Sequence, residues 1–102
     1  MNPKPLFECH ITIQPEDDAS HIERIIESKG WSFSSIQNDP DLGKARFCYA
    51  TRWFHTQDQA IGETIVMKDF LVSEQELSVV RMKVEQVVFD ARLVAGAWRN
   101  MP

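Results

Sequence analysis

Apolar and polar residues alternate along residues 6–14 of the chain. The apolar positions are Phe7, Cys9, Ile11 and Ile13, and the polar positions are Glu8, His10, Thr12 and Gln14. A period of two over this length predicts a strand with one buried face and one wet face. Pro15 ends the strand, because its ring nitrogen cannot donate a hydrogen bond to a neighbouring strand.

Two segments have the spacing of amphipathic helices. The first follows a capping carboxylate at Asp17 or Asp18 and ends at Gly30, which suits the left-handed residue after a helix. The second begins at a capping box over residues 56–59 and runs to about residue 72. The predicted inward positions are Ala19, Ile22, Ile25 and Ile26 in the first helix, and Ile61, Ile65, Met67 and Leu71 in the second.

Residues 31–36, 44–54 and 79–90 have the composition of strands, and the turn-forming residues 38–43 predict a hairpin loop between the first two. In the middle strand the bulky positions Phe47, Tyr49, Thr51 and Trp53 are predicted to face the core, which leaves Arg46, Cys48 and Arg52 outward. In the last strand Val80, Met82 and Val84 are predicted inward, which leaves Arg81, Lys83 and Glu85 outward. Since Cys9 and Cys48 would then face opposite sides, no disulfide is expected between them.

The resulting order β-α-β-β-α-β predicts a ferredoxin-like α+β sandwich. Right-handed crossovers place both helices on one face of a four-stranded antiparallel sheet with strand order 4-1-3-2. We assign residues 1–92 to this single domain and residues 93–102 to a C-terminal tail. The tail carries Trp98 and Met101, which we expect to pack on the protein itself or on a second copy.

Composition limits the classes of function. The 102 residues suit one domain, and the net charge of −4 with a pI near 5.3 argues against general nucleic-acid affinity. No apolar run approaches the roughly 20 residues of a membrane span, and no signal-peptide pattern begins the chain. Two cysteines without a CxxC motif favour the cytoplasm and no zinc. No cofactor-binding motif occurs, so no cofactor and no metal are expected.

The face of the sheet away from the helices holds the candidate binding residues. The predicted pairing of the first and last strands brings together Glu8, His10, Arg81, Lys83 and Glu85, with Arg46 and Arg52 on the neighbouring strand. Cross-strand ion pairing on a solvated sheet would explain this composition. A surface for a polar ligand or partner is the alternative interpretation, because a histidine and several cations share rigid central strands.

Two further alternatives stay open. The tripeptide His10-Ile11-Thr12 resembles the H-x-T motif of two-histidine phosphoesterases, in which paired imidazoles act as base and acid. The second H-x-T copy of that family is missing, so only a small phosphate-ester or anionic-ligand enzyme centred on His10, with Thr12, is considered. Residues 44–49 echo the aromatic strand of RNA-recognition domains, which makes RNA binding the other alternative.

Taken whole, the chain resembles small uncharacterised ferredoxin-like proteins of bacteria and phages. The resemblance is carried by Gly30-Trp31, by residues 39–43, by Tyr49-Ala50-Thr51, and by residues 81–85 followed by Asp90. It implies the fold and no particular activity. We therefore expect a non-enzymatic binding or regulatory domain that presents a mixed-charge sheet face. Its expected partner is a protein, a second copy of the chain or a small anionic ligand, and neither nucleic acid nor a membrane.

Overall fold

The computed structural model describes residues 4–14, 19–36, 47–88, 92–94 and 97–99. In chain order the elements are β1 (Phe7–Ile13), α1 (Ala19–Ser28), β2 (Ser32–Ile36), β3 (Phe47–Phe54), α2 (Gln57–Asp69), a π-helical turn (Phe70–Glu74), β4 (Val79–Gln86), β5 (Arg92–Val94) and β6 (Ala97–Arg99). The predicted succession of four strands and two helices is present, and the short pair β5–β6 follows it.

The first four strands form one antiparallel sheet in the order β2-β3-β1-β4. This is the predicted order 4-1-3-2 counted from the other edge, so the ferredoxin-like α+β fold is confirmed. Both helices supply apolar residues to one core against one side of the sheet, which we call the helix face. We call the opposite side the polar face.

The core lies between the helix face and the two helices. The apolar positions of β1 provide its centre, since Cys9, Ile11 and Ile13 are completely buried. On α1, Ile22 and Ile26 are also completely buried, as the helical spacing predicts. The alternation in β1 therefore correctly predicted which residues of this strand face the core.

The second helix begins as its capping box predicts and then presents a different face to the core. The Thr56 hydroxyl accepts a hydrogen bond of 3.2 Å from the Gln59 N–H. The predicted inward residues Ile61 and Ile65 are instead 40% and 45% exposed.

The core positions of this segment are Ala60, Thr64, Met67 and Leu71. The small Ala60 side chain suits a close approach of the helix to the sheet, and the Thr64 hydroxyl donates 2.7 Å to the Ala60 carbonyl oxygen. Burying a threonine here is tolerated because its hydroxyl is satisfied. The prediction for Ile61 and Ile65 was wrong because larger apolar residues were assigned inward in place of smaller ones.

The last strand of the sheet contains an irregularity that changes which valine is buried. Thr12 pairs with Arg81 and Ile13 pairs with Val79, so Val80 is an extra residue between them. Val79 packs on the core, whereas Val80, which was predicted inward, is 44% exposed. Val84 packs on the core as predicted, and Met82 shares its face but stays 44% exposed on this edge strand.

Both cysteines are buried on the helix face, and they do not form a disulfide. The expectation that Cys48 faces outward was wrong, because Cys48 pairs with Ile13 and therefore shares the side of Ile13. Cys9 pairs with Arg52 at the other end of the same ladder. The two thiols are thus separated along the strands rather than by opposite faces.

The C-terminal segment forms a two-stranded antiparallel pair, β5 with β6, separate from the main sheet. Leu93 pairs with Trp98 in its backbone register. Met101 and the side chain of Trp98, which were predicted to pack on the protein or on a second copy, lie outside what the structure describes. None of the helices in the described ranges is long and apolar enough to cross a membrane.

Candidate functional site

The strand register arranges the side chains of the polar face in rows across β3, β1 and β4. The three rows are Trp53–Glu8–Glu85, Thr51–His10–Lys83 and Tyr49–Thr12–Arg81. Because residues paired across antiparallel strands point to the same side, the members of each row are neighbours. We call Glu8, His10, Thr51, Trp53, Lys83 and Glu85 the sheet-face cluster.

Glu8 and His10 are the centre of the sheet-face cluster. The Glu8 Oε1 lies 2.6 Å from His10 Nε2, and the Trp53 indole N–H donates 2.9 Å to Glu8 Oε2. The His10 Nδ1 lies 3.2 Å from the Thr51 hydroxyl oxygen. Since a carboxylate only accepts hydrogen bonds, the proton of this contact belongs to His10 Nε2, and the Thr51 hydroxyl can serve Nδ1 either as donor or as acceptor.

These contacts leave the pair partly accessible to solvent. The side chains of His10 and Glu8 are 30% and 27% exposed. Both ring nitrogens and both carboxylate oxygens have a partner within the protein. The network therefore fixes the orientation of His10 while its ring edge still reaches the surface.

Lys83 and Glu85 complete the cluster on the edge strand. The Lys83 ammonium lies 2.8 Å from Glu85 Oε1. That hydrogen bond, together with the positive charge of Lys83, lowers the pKa of the exposed Glu85 carboxyl below its ordinary value. Glu85 also lies opposite Glu8, and Lys83 and His10 in the next row moderate the repulsion between the two carboxylates.

One end of the polar face is buried rather than wet. Thr12 is 4% exposed, and Phe47 and Tyr49 are 8% and 7% exposed. Neither aromatic residue belongs to the core beneath the helices, although both are buried. The expectation of a uniformly solvated face was therefore wrong: the sheet-face cluster is accessible, and Arg81 is exposed beside it on β4.

The bulky residues of β3 face the side opposite to the predicted one. Trp53 and Thr51 contact Glu8 and His10 on the polar face, and the register places Tyr49 and Phe47 on the same side. The helix face of β3 instead carries Cys48, Ala50, Arg52 and Phe54. Cys48, Ala50 and Phe54 are buried in the core, and the small side chains of Cys48 and Ala50 leave room for the helices.

Five predicted binding residues share the polar face: Glu8, His10, Arg81, Lys83 and Glu85. Arg52 does not join them, because the parity of β3 places it on the helix face, where its guanidinium covers the Phe54 ring at 5.0 Å. Arg46 lies outside the described residues. Thr12, the second candidate for catalysis, is buried and one row away from His10.

Thr51 and Trp53 contact His10 and Glu8 but were not among the binding residues predicted from the sequence. The sequence did contain a signal for the correct side of β3. Thr51 is a polar residue among the large side chains at the odd-numbered positions, whereas the even-numbered positions include the small apolar residues Cys48 and Ala50. Weighing size above polarity gave the wrong side. Placing Thr51 beside the polar residues of the first strand would have predicted its contact with His10.

The chemistry open to the cluster is hydrogen bonding and charge pairing. In the parts of the chain that the structure describes, no group of three or more His, Cys, Asp or Glu side chains could hold a metal ion. The side chains of Glu8, His10 and Thr51 contact one another in that order. They form a carboxylate–imidazole–hydroxyl chain, an arrangement that activates a nucleophile in hydrolases. The cluster lies on the open side of a sheet, where its groups can equally contact another macromolecule.

The chain was compared with protein-family models, with curated proteins and with solved structures, and none matches it. The resemblance to small ferredoxin-like proteins of bacteria and phages therefore stays a prediction. Inferences about function rest on the geometry of the sheet-face cluster and on the residues around it.

Proposed function

We propose that the protein is a non-enzymatic binding domain and that the sheet-face cluster contacts a protein partner. The observation that supports this most is the saturation of the cluster: the polar atoms of Glu8 and His10 bind one another, Thr51 and Trp53. Side chains held in this way form a rigid surface, which lowers the entropy lost on association. The same saturation leaves little unsatisfied hydrogen-bonding capacity for a reaction.

The composition of the accessible face indicates the chemistry of the partner. Glu8 and Glu85 lie in one row, and the cations Lys83 and Arg81 lie in the next two rows. A complementary partner carries acidic groups opposite Lys83 and Arg81 and a basic group opposite Glu85. Charges arranged in this way mainly set specificity and association rate. Tryptophan and arginine are also residue types enriched at interfaces.

Two aspects of the proposal concern the cell and the class of partner. We place the protein in the cytoplasm, which the lack of a disulfide between Cys9 and Cys48 supports. The acidic composition and the burial of Phe47 and Tyr49 argue against RNA, since buried rings cannot stack on bases. A protein surface, including that of a second copy of the chain, is the partner that fits the cluster.

Capture with matched charge reversals tests the proposal. Tagged wild-type protein is used to retain partners from an extract of the source organism, and the dissociation constant of each purified partner is then measured. Lys83→Glu should weaken binding by about tenfold or more, and added salt should weaken the wild-type complex. The control is Arg24→Glu, which makes the same charge change on the exposed side of α1.

If the proposal holds, the affinity for the partner falls in Lys83→Glu and stays unchanged in Arg24→Glu. Arg24→Glu should bind like the wild type, because α1 lies on the other side of the sheet. Equal affinity of Lys83→Glu and the wild type for every retained protein would refute the proposal. So would an equal loss of affinity in both variants, since the loss would then reflect net charge alone.

Catalysis at His10 on a small phosphate ester is the second candidate function. It is favoured by the Thr51 hydroxyl at His10 Nδ1, with Lys83 in the same row to bind an anion. Its test is hydrolysis of bis(p-nitrophenyl) phosphate by wild-type, His10→Ala and Thr51→Ala proteins. Turnover that both substitutions abolish would support catalysis, and rates equal to the buffer background in all three would refute it.

A further inference from the structure

A cavity of about 480 Å³ opens on the helix side of the molecule, away from the sheet-face cluster. Its walls come from the turn that follows α1, from β3, and from the second half of α2 with the π-helical turn. The volume lies within the range of roughly 300–1,000 Å³ that is typical of small-molecule sites. We call this cavity the helix-side cleft.

Aromatic and apolar side chains form part of the wall. Trp31 and Met67 are 4% and 3% exposed and belong to the core, so they are fixed parts of the cleft. Trp31 also packs edge-on against Phe54, with ring centroids 6.4 Å apart. Phe70 is half-buried and begins the π-helical turn, a feature that is frequent at functional sites. Trp31 and Met67 form the floor, and the accessible side chains of Phe70 and Val66 suit the flat apolar body of a ligand.

Two cations converge on the same cleft. The Arg52 guanidinium donates 3.4 Å to the backbone carbonyl of Lys29, and the Lys29 ammonium lies 4.3 Å from the centre of the Phe70 ring. Gly30 has a φ of 81°, and the left-handed turn there exposes this carbonyl to Arg52. Among the described residues neither cation pairs with a carboxylate, although the chain has more acidic than basic residues.

The acidic side chains around the cleft do not neutralise these cations. Asp69 is paired with Lys68 at 2.6 Å, and Glu63 and Glu74 line the cleft without an ion pair to Lys29 or Arg52. Arg52 retains donors beyond the one that Lys29 occupies, since a guanidinium carries five N–H groups. A ligand carboxylate could therefore accept hydrogen bonds from Arg52 and from the Lys29 ammonium together.

We propose that the helix-side cleft binds a small molecule with a planar apolar body and a carboxylate, the ring against Phe70 and the exposed Val66 and the carboxylate at Arg52 and Lys29. Each part of the ligand contacts one part of the cleft. The ring replaces water on apolar surface. The carboxylate supplies an anion for two cations that pair with no carboxylate in the described ranges.

Three probes separate these contributions. NMR of the ¹⁵N-labelled full chain follows the binding of three compounds. The first is 3-phenylpropionate, the second is 2-phenylethylamine, which reverses the charge, and the third is propionate, which lacks the ring. We expect 3-phenylpropionate to bind most tightly and to shift the amide signals of Lys29, Arg52 and Phe70. The proposal is overturned if 2-phenylethylamine or propionate binds as tightly, or if no cleft signal moves at millimolar 3-phenylpropionate.

Substitutions locate the carboxylate. Arg52→Gln and Lys29→Gln should each raise the dissociation constant for 3-phenylpropionate by about tenfold. The exposed Lys29 side chain keeps this test valid if loss of the Arg52–Phe54 contact unfolds the first variant. Arg24→Gln is the control and should leave the constant unchanged. Unchanged affinity in Lys29→Gln and in a folded Arg52→Gln would overturn the proposal.

The cleft and the sheet-face cluster lie on opposite sides of the sheet. A ligand bound in the cleft contacts none of Glu8, His10 or Glu85. Each proposal can consequently fail while the other stands, and Lys83→Glu should not affect the binding of 3-phenylpropionate.

Discussion

The indole N–H of Trp53 donates a 2.9 Å hydrogen bond to Glu8 on the neighbouring strand. The same carboxylate binds His10 through its other oxygen, so the aromatic side chain of β3 helps to hold the imidazole of β1. A hydrogen bond to a charged group contributes more to stability than one between neutral groups. The stability of the sheet-face cluster is therefore expected to depend on the indole N–H.

A double-mutant cycle between these two residues measures that contribution. Trp53→Phe removes the donor and retains a ring, and Glu8→Gln removes the charge of the acceptor. We expect a coupling free energy of about 1–2 kcal/mol from urea unfolding of the two single variants and the double variant. Additive losses would mean that the charge of Glu8 adds nothing to this hydrogen bond in the folded chain.

The buried positions predict unequal costs for truncating isoleucines. Ile11→Ala opens a cavity beneath both helices and should lower the free energy of unfolding by about 2–5 kcal/mol. Ile61→Ala and Ile65→Ala remove groups that are 40% and 45% exposed and should each cost less than about 1 kcal/mol. Chemical denaturation of the three variants checks this order. A loss at Ile61 comparable to that at Ile11 would contradict the observed orientation of α2.

Two glycines should respond to alanine in opposite directions. Gly30 has a φ of 81°, so Gly30→Ala forces a side chain into the left-handed region and should cost about 1–2 kcal/mol. Gly62 lies within α2 with open space around its Cα, so Gly62→Ala should stabilise the protein by roughly 0.5–1 kcal/mol. Thermal melting of both variants tests the pair. The assignment fails if Gly30→Ala melts at or above the wild-type temperature.

The buried thiol of Cys9 gives the protein a pH dependence in the alkaline range. Burial is the main cause that raises the pKa of this thiol above its ordinary value of 9.0, and the protonated sulfur lies 3.5 Å from the Ala60 carbonyl oxygen. The unfolded chain thus loses this proton at lower pH than the folded chain does. The resulting stability is fully present below about pH 9 and is lost as the pH rises above it.

Melting curves of wild-type and Cys9→Ala proteins across this range provide the measurement. Between about pH 8 and pH 10 the melting temperature of the wild type should fall further than that of the variant. The variant serves as the control for all other titrating groups. Parallel decreases in the two proteins would show that Cys9 ionises equally well in both states.

The fold was predictable because period-two alternation, helix caps and helix ends agree with one another in this chain. Thr56 caps α2 and Gly30 ends the turn after α1, as their residue types require. The side of β3 was not predictable from bulk, because the core prefers Cys48 and Ala50 where the helices lie close. Tertiary packing overrode side-chain size there.

The candidate site was predictable only where two strands constrained each other. The pairing of His10 with Lys83 follows from alternation in β1 and β4, and the structure confirms their shared face. Thr51 and Trp53 depend on β3, so the error in its parity removed them from the predicted site. The helix-side cleft arises from side chains far apart in sequence, such as Arg52 and Phe70, and no local pattern connects them.

The extra residue Val80 lies on an edge strand, where strands of different molecules can pair. β4 forms one border of the sheet, where unpaired N–H and C=O groups could template the addition of a strand from another molecule. The irregularity between Thr12 and Ile13 increases the local twist and breaks the flat run of such groups. Straightening this strand by deleting Val80 would therefore be expected to favour cross-β aggregation during expression.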